Sequence, residues 1–317
     1  MKMKKIMLMK KIYLMLFGAM YAMCSFAQAG VAGFQVDCMI TEIKGERVIK
    51  TTYEYNRAGL ITAEYSYSYM NTLGGSQEEP KLIGRNLYFY NEDGKPTHDE
   101  SYDYEDGQYV LTRSSKVTKY NEENGQPCET TVYEKDKDGS SEELQPVRRI
   151  VVHKFHNFCD EDEETYELQN GEWVLMMTNH YEFDEWDNKI KAIAQALMEG
   201  MEVNMEMNWT YDSHHNVTSS STTTTFGGMQ MTTSNTYTNE YDDNGCLVKQ
   251  VTTTESQDDL ITYFYWSPVS TSIKNILRDD DMRHFGSDVY DMLGRKVNAQ
   301  TASKGIYVVG GKKVVVK

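Results

Sequence analysis

Hydrophobic and polar residues alternate along most of this chain. Ile61, Ala63, Tyr65, Tyr67 and Tyr69 share one parity, as do Val203, Met205, Met207, Trp209 and Tyr211. A period of two marks a β-strand with two unlike faces. The first such run starts near Val36, in Val36-Asp37-Cys38-Met39-Ile40, and residues 46–55 carry a second one into a turn. Residues 71–80 break the pattern and read as a polar loop. Residues 189–199 have helix propensity. They nevertheless follow a turn and precede a strictly alternating run, so the expected element is a hairpin turning at Glu199-Gly200. Residues 219–241 read as a further hairpin, turning at Gly227-Gly228 between Thr-rich strands. Ser267-Pro268 ends the pattern.

The turns repeat as well. An aromatic closes a run, an Asp or Asn follows, and a Gly comes at the bend. The copies are Tyr55, Asn56 and Gly59; Tyr90, Asn91 and Gly94; Tyr120, Asn121 and Gly125; and Tyr241, Asp242 and Gly245. Degenerate copies lie at Phe155-His156, Phe183-Asp184 and Tyr211-Asp212. Successive aromatics are 35, 30, 35, 28, 28 and 30 residues apart. A near-constant period of this length means an array of one supersecondary unit. A second echo supports it: Gly107-Gln108-Tyr109-Val110-Leu111 matches Gly171-Glu172-Trp173-Val174-Leu175, each opening a strand toward the next aromatic. An Asx side chain bonds the backbone two residues on, and Gly takes a positive φ without a Cβ clash, so the motif specifies a hairpin turn. Asp242-Asp243-Asn244-Gly245 also looks like half of a calcium loop, but the twelve-residue acidic pattern and its terminal Glu are missing. The expected fold is all-β: an antiparallel meander of about seven hairpins, forming a broad twisted sheet or open sandwich, with a small C-terminal β module.

Composition fits that picture. Only 39% of the 317 residues are hydrophobic, while 23 are Tyr and 5 are Pro, which suits two-sided strands better than one thick core. Residues 1–27 read as a signal peptide: Lys2, Lys4, Lys5, Lys10 and Lys11 precede an apolar stretch over residues 12–22, and Ser25-Phe26-Ala27 offers a cleavage site. The apolar stretch is short of the ~20 residues of a membrane span. Tyr21-Ala22-Met23 is a poor lipoprotein signal before Cys24. The remaining expected divisions are a repeat region over 28–267, a linker over 268–286 and the module over 287–317. Removing five Lys from 32 basic residues leaves 27 against 48 acids, a net charge near −21. Such a surface repels phosphate backbones, so nucleic acid is not an expected partner. Cys38, Cys128, Cys159 and Cys246 remain, either as disulfides in one of three pairings or as inert thiols.

The Tyr-Asx-Gly units resemble the tyrosine–aspartate (RHS-type) repeats of secreted bacterial proteins. The C-terminal stretch resembles the type IX secretion sorting domain, on Gly294 and Arg295 in Val289–Val297, Gly305 and Tyr307 in the next run, and Gly310, Gly311 and Lys312 at a hairpin turn. That resemblance implies export across an outer membrane with secretion machinery as partner. A plain hairpin cap is the alternative for the same residues.

Chemistry is harder to find. His153 and His156 are three apart, which on a regular strand puts them on opposite faces. His214-His215 lies in a degenerate turn, and Asp160-Glu161-Asp162-Glu163-Glu164 reads as a repelling loop. No nucleophile elbow, zinc-protease helix or phosphate loop is present in the sequence. The expectation is therefore a non-enzymatic binding, adhesion or structural protein without cofactor, metal or transmembrane span, secreted or held at the cell surface. A surface glycan or a protein is the expected ligand, with most aromatics serving as cross-strand pairs. The alternatives are a glycan-active hydrolase without a recognisable motif and, for location, the periplasm.

Overall fold

The computed structural model describes residues 33–70, 76–135, 143–157, 159–198, 200–255 and 257–269, together with the backbone of five short strands between 276 and 316. The chain divides into two compact units, Met1–Ser267 and Pro268–Lys317. The expected leader, Cys24 and most of the expected linker lie outside the described residues, as do Gly294, Arg295, Gly310 and Gly311.

The first unit is a meander of long strands. They are β1 (Phe34–Ile43), β2 (Glu46–Tyr55), β3 (Ile61–Met70), β4 (Ser76–Tyr90), β5 (Pro96–Glu105) and β6 (Gln108–Tyr120). β7 (Pro127–Glu134), β8 (Gln145–His156), β9 (Cys159–Gln169), β10 (Glu172–Phe183) and β11 (Lys189–Met198) follow. β12 (Met201–Tyr211), β13 (Val217–Phe226), β14 (Met229–Tyr241), β15 (Leu247–Thr254) and β16 (Leu260–Pro268) complete it. Each strand pairs antiparallel with the next, as in β2 with β3 and β14 with β15. The expected hairpins at Gly200 and Gly227-Gly228 are both formed.

The expected open sheet or sandwich is corrected by one contact. β16 is hydrogen-bonded to β1, so the sheet closes into a sixteen-stranded barrel. Ser267 Oγ donates to Asp37 Oδ1 at 2.9 Å across that seam, between residues 230 positions apart. Closure removes the two edges that an open meander would leave unpaired. Two further expectations fail locally. The loop expected over residues 71–80 gives way to β4, which starts at Ser76 and runs through Pro80. The acidic run expected to be a loop is the first half of β9.

The repeated turns share one construction. Asn56 Oδ1 accepts the Ala58 and Leu60 amides, and Asn91, Asp184, Asp212 and Asp242 accept from the amides two and four residues on. Asn121, with its extra residue, bonds the amides of Glu123 and Asn124 instead. The ladder slips in register immediately before Tyr55, Tyr90, Tyr120, Phe183, Tyr211 and Tyr241. Gly245, at φ 80°, absorbs the strain of one such turn.

Each turn is then tied to its neighbour by the aromatic. Tyr55, Tyr90, Tyr120 and Tyr211 donate their hydroxyls to the carbonyls of Val36, Ile61, Pro96 and Lys189, at 2.6–2.8 Å. Tyr241 donates instead to Asp212 Oδ2 at 2.5 Å. Trp266 Nε1 donates to the Leu247 carbonyl at 2.7 Å and so fills the corresponding place between β15 and β16. The sequence hides this rung, because Ser-Pro rather than Asx-Gly follows Trp266. Phe155 and Phe183 carry no hydroxyl. There His156 stacks on Phe183 with centroids 4.9 Å apart, and Asn157 donates to Asp187.

The second unit is a five-stranded sheet. Its strands are β17 (Ile276–Leu277), β18 (Val289–Asp291), β19 (Lys296–Val297), β20 (Gly305–Val309) and β21 (Lys312–Val316), in the order β17-β21-β20-β18-β19. β17 runs parallel to β21, and Gly305, Tyr307 and Lys312 lie in the β20–β21 ladder.

Removing one tyrosine hydroxyl from the ring of ties leaves a backbone carbonyl without that partner. Tyr90→Phe and Tyr120→Phe should each lower unfolding free energy by about 1 kcal/mol with the strand content unchanged. Thermal melts followed by circular dichroism check this, and wild-type stability in both variants would show the ties to be dispensable.

Candidate functional site on the barrel wall

Closure gives the sheet an inside and an outside, and the registers say which residue faces where. Tyr53 pairs with Glu64, Glu64 with Asn86, Tyr88 with Asp99, and Asp99 with Ser115, so these form a band on one face. Burial, first among the causes, raises the pKa of Tyr53, Glu64, Tyr88 and Asp99. This face is therefore the inner one. Followed round the wall, it carries the buried Val132, Thr165, Asn179, Tyr181, Ala192, Val203, Met207, Ser220 and Asn235. Tyr181, Ala192, Ala194 and Met207 pack together there, with Phe183, Met205 and Trp209 against them.

The inner face also holds paired acids. Glu163 accepts from Asn179 Nδ2 at 2.6 Å and from the Tyr181 hydroxyl at 3.0 Å. Asp160, desolvated by burial and repelled by Glu163, is pushed up to about 6, against the pull of Lys189. Tyr88 donates to Glu64 Oε2 at 3.3 Å.

The outer face is different in kind. Lys50, Glu100, Lys116, Arg149, Glu164, Lys191 and Glu206 all lie on it by register. A lipid-facing barrel wall needs an apolar band, and a Lys or Arg at its midplane costs about 2–4 kcal/mol. Here charges of both signs stand on the wall instead. Among the described residues no helix is long and apolar enough to cross a membrane, which says nothing about strands.

Arginines and lysines lie over aromatic rings along one arc of the outer face. The Arg85 guanidinium lies 4.7 Å from the Tyr102 ring centroid and 3.8 Å from that of Tyr109. The Arg149 guanidinium lies 5.0 Å from Tyr166 and 5.2 Å from Trp173. In each set the tyrosine hydroxyl donates to a glutamate two residues earlier, Tyr102 to Glu100 at 2.6 Å and Tyr166 to Glu164 at 2.5 Å. Arg85 Nε and Arg149 Nε are both buried in their stacks without a hydrogen-bond partner. The two sets are one arrangement built twice, at a constant sequence offset of about two repeats. The matching Gly-x-aromatic-Val-Leu stretches are its visible trace, but the arginines that complete it sit two strands away and are not legible in sequence. On β13 and β14 the outer face turns to Thr and Ser, as in the Thr223–Thr232 contact at 3.0 Å.

Next to the second set, histidines meet carboxylates. His180 Nδ1 is 2.6 Å from Asp162 Oδ1, and His153 Nε2 is 2.7 Å from Glu164 Oε2. The Tyr166 hydroxyl, first, and His153 hold Glu164 below the usual carboxylate range. These groups line a shallow pocket of about 310 Å³ with Ile193 and Gln195. Lys154 bonds Glu161 beside it. Simple alternation placed His153 opposite His156 and gave no partner to either. The β8–β9 ladder is irregular at His153, so strand parity fails there.

The other expected residues fall elsewhere. His214 stacks on Tyr241 with centroids 4.1 Å apart, and His215 is 3.2 Å from Asn188 Nδ2. Cys38, Cys128, Cys159 and Cys246 are free thiols, against the possible disulfides. The cause is their placement: Cys38 on β1, Cys128 on β7, Cys159 on β9 and Cys246 before β15 put no two on adjacent strands.

No protein-family model matches the chain, and no curated protein does. Among solved structures, a porin-like protein from Bacteroides uniformis is 12% identical over 73% of this chain and 98% of its own, with TM-score 0.37. A porin-like protein from Bacteroides vulgatus is 10% identical over 74% and 98%, with TM-score 0.36. A protein of unknown function from Bacteroides fragilis is 13% identical over 41% and 89%, with TM-score 0.32. The resemblance to tyrosine–aspartate repeats and to a type IX sorting domain is thus corrected. The periodic turns build one closed barrel, and no family model of either kind matches.

The inner carboxyls make stability depend on pH with a defined sign. Glu64 and Asp99 have folded-state values above the ordinary carboxylate range, so the folded state holds their protons more tightly than the unfolded chain does. Stability must fall as pH rises from the ordinary range through the raised values. Glu64→Gln should flatten that fall in thermal midpoint, and an unchanged slope would mean Glu64 is not desolvated inside the barrel.

Proposed function

We propose that this protein is a non-enzymatic binding protein, exported to the cell surface or the medium, and that its outer wall is the contact surface. The observation that supports this reading best is the doubled arginine–aromatic arrangement around Arg85 and Arg149. Rings already held in place by a guanidinium give large contact area at little rotamer cost, which suits the face of a sugar or an aromatic-rich protein segment. Building the arrangement twice on one rigid wall favours a repetitive ligand, whose second contact is intramolecular once the first has formed. The basic and apolar start of the chain supports export, and the charged outer face supports a wall exposed to water. A glycan-active hydrolase is the second reading, favoured by Asp160, pushed up to about 6, near Glu163.

A glycan array and whole-cell binding assay on the leader-free protein test the proposal. Arg85→Ala and Arg149→Ala should each weaken binding of a polymeric glycan, and the double variant should weaken it by more than the product of the two. Turnover of chromogenic glycosides without any binding to the array, lost in Asp160→Asn, would reverse the order of the two readings.

A further inference from the structure

The doubled arrangement on the outer wall supplies its own internal comparison. Arg85, Glu100, Tyr102 and Tyr109 of the first copy correspond by constant offset to Arg149, Glu164, Tyr166 and Trp173 of the second. The ladders correspond as well: His98 pairs with Lys116 in the first copy, and Asp162 with His180 in the second. The scaffold is therefore shared, and what differs between the copies is what has been placed on it.

In the first copy the positions beside the stack are Phe89, Thr97, His98 and Lys116. Phe89 and His98 stack face to face with centroids 4.1 Å apart and planes 3° from parallel. In the second copy the same four positions are Lys154, which pairs with Asp162 as Phe89 pairs with His98, and Glu161, Asp162 and His180, with His153 inserted just before Lys154. Glu161, Asp162 and His180 are all metal-ligating types, where the first copy offers one histidine engaged in a stack.

Backbone irregularity re-aims these side chains. The β4–β5 ladder slips once, between Phe89 and Tyr90, which leaves Thr97 without a partner there, whereas the β8–β9 ladder slips twice, between Lys154 and Phe155 at the matching place and also between Val152 and Lys154. The two slips leave His153 and Glu161 without cross-strand partners in that ladder. Bulges of this kind turn a side chain away from its strand parity and are enriched beside functional sites. Here they bring Glu161 onto the face that already holds Asp162 and His180. The ligand atoms of Glu161, Asp162 and His180 lie within 4.8 Å of one another. The His180 and Asp162 side chains are 44% and 40% exposed, which leaves the position open to solvent.

We propose that Glu161, Asp162 and His180 form a binding site for a divalent transition-metal ion of the zinc type, flanked by the His153–Glu164 pair. One imidazole and two carboxylates from three protein ligands leave a coordination position open to water. The nitrogen donor favours a zinc-class ion over Ca²⁺ or Mg²⁺, which prefer all-oxygen shells. Lys154, which bonds Glu161, competes for that carboxylate and must be displaced by the ion.

Equilibrium dialysis and calorimetry with Zn²⁺ alone on the leader-free protein test this, with Co²⁺ absorption as an independent reading of a nitrogen-containing site. One ion should bind per chain. His180→Ala and Asp162→Asn should each weaken binding about tenfold or more. Lys154→Ala should tighten binding, an effect opposite in sign to any folding defect. His98→Ala, at the matching position of the first copy, should change nothing. No saturable Zn²⁺ binding overturns the proposal. So does Ca²⁺ binding as tightly as Zn²⁺ with His180→Ala indifferent, because a diffuse acidic surface would then account for the ion.

Discussion

The pairing of β16 with β1 is the constraint on which the rest of the barrel depends. Before closure the meander is a ribbon with two solvated faces, and neither face can desolvate a carboxyl. After closure one face is partly sheltered from bulk water. Glu64, Asp99 and Asp160 are raised by burial only because the seam exists. The seam itself is held by ordinary groups, the strand pairing and the Ser267–Asp37 bond. Its strength lies in what its absence would leave exposed, two long strands of unpaired amides and carbonyls.

Closure in turn requires that every hairpin keep its register. A slip of one residue exchanges inner and outer side chains along a whole strand, and would carry Glu100 or Arg149 inside. The Asx turn and the aromatic tie act together against such slips. The Asx oxygen fixes the bend through two amides, the ladder shifts by one residue beside the aromatic, and the hydroxyl reaches back to the preceding turn. Where the hydroxyl is missing, at Phe155 and Phe183, histidine stacking and the Asn157–Asp187 bond supply the link. The tie is thus a position in the barrel, which several side chains can fill.

Legibility in the sequence follows the range of each interaction. Strands and turns were readable because alternation and the Tyr-Asx-Gly spacing are local, and the strand over 189–198 was readable against its helix propensity because its neighbours outvote it. Closure was not, since nothing near Asp37 announces a partner at Ser267. Nor was the side of the wall on which a residue falls, because parity within a strand does not say which parity faces inward. The acidic run from Asp160 to Glu164 shows the cost. As a loop it is mere repulsion. As a strand it divides, sending Glu163 inward to Asn179 and Tyr181, and Asp162 and Glu164 outward to the two histidines.

The same reasoning explains why the wall is not uniform although its unit repeats. A turn motif is constrained by backbone geometry in every copy, so its residues vary little. The outward positions are constrained only by their cross-strand neighbours, and each hairpin is free to change them in pairs. Two copies kept the arginine between two rings with a Glu–Tyr pair beside it. Around that kept core, one copy stacks Phe89 on His98 and the other sets imidazoles against carboxylates. Beyond β12 the outward positions turned to threonine and serine. Such divergence on a fixed frame is the signature expected when the frame carries stability and the outer positions carry whatever the surface meets. The difference between the two copies therefore says more about this wall than either copy does alone.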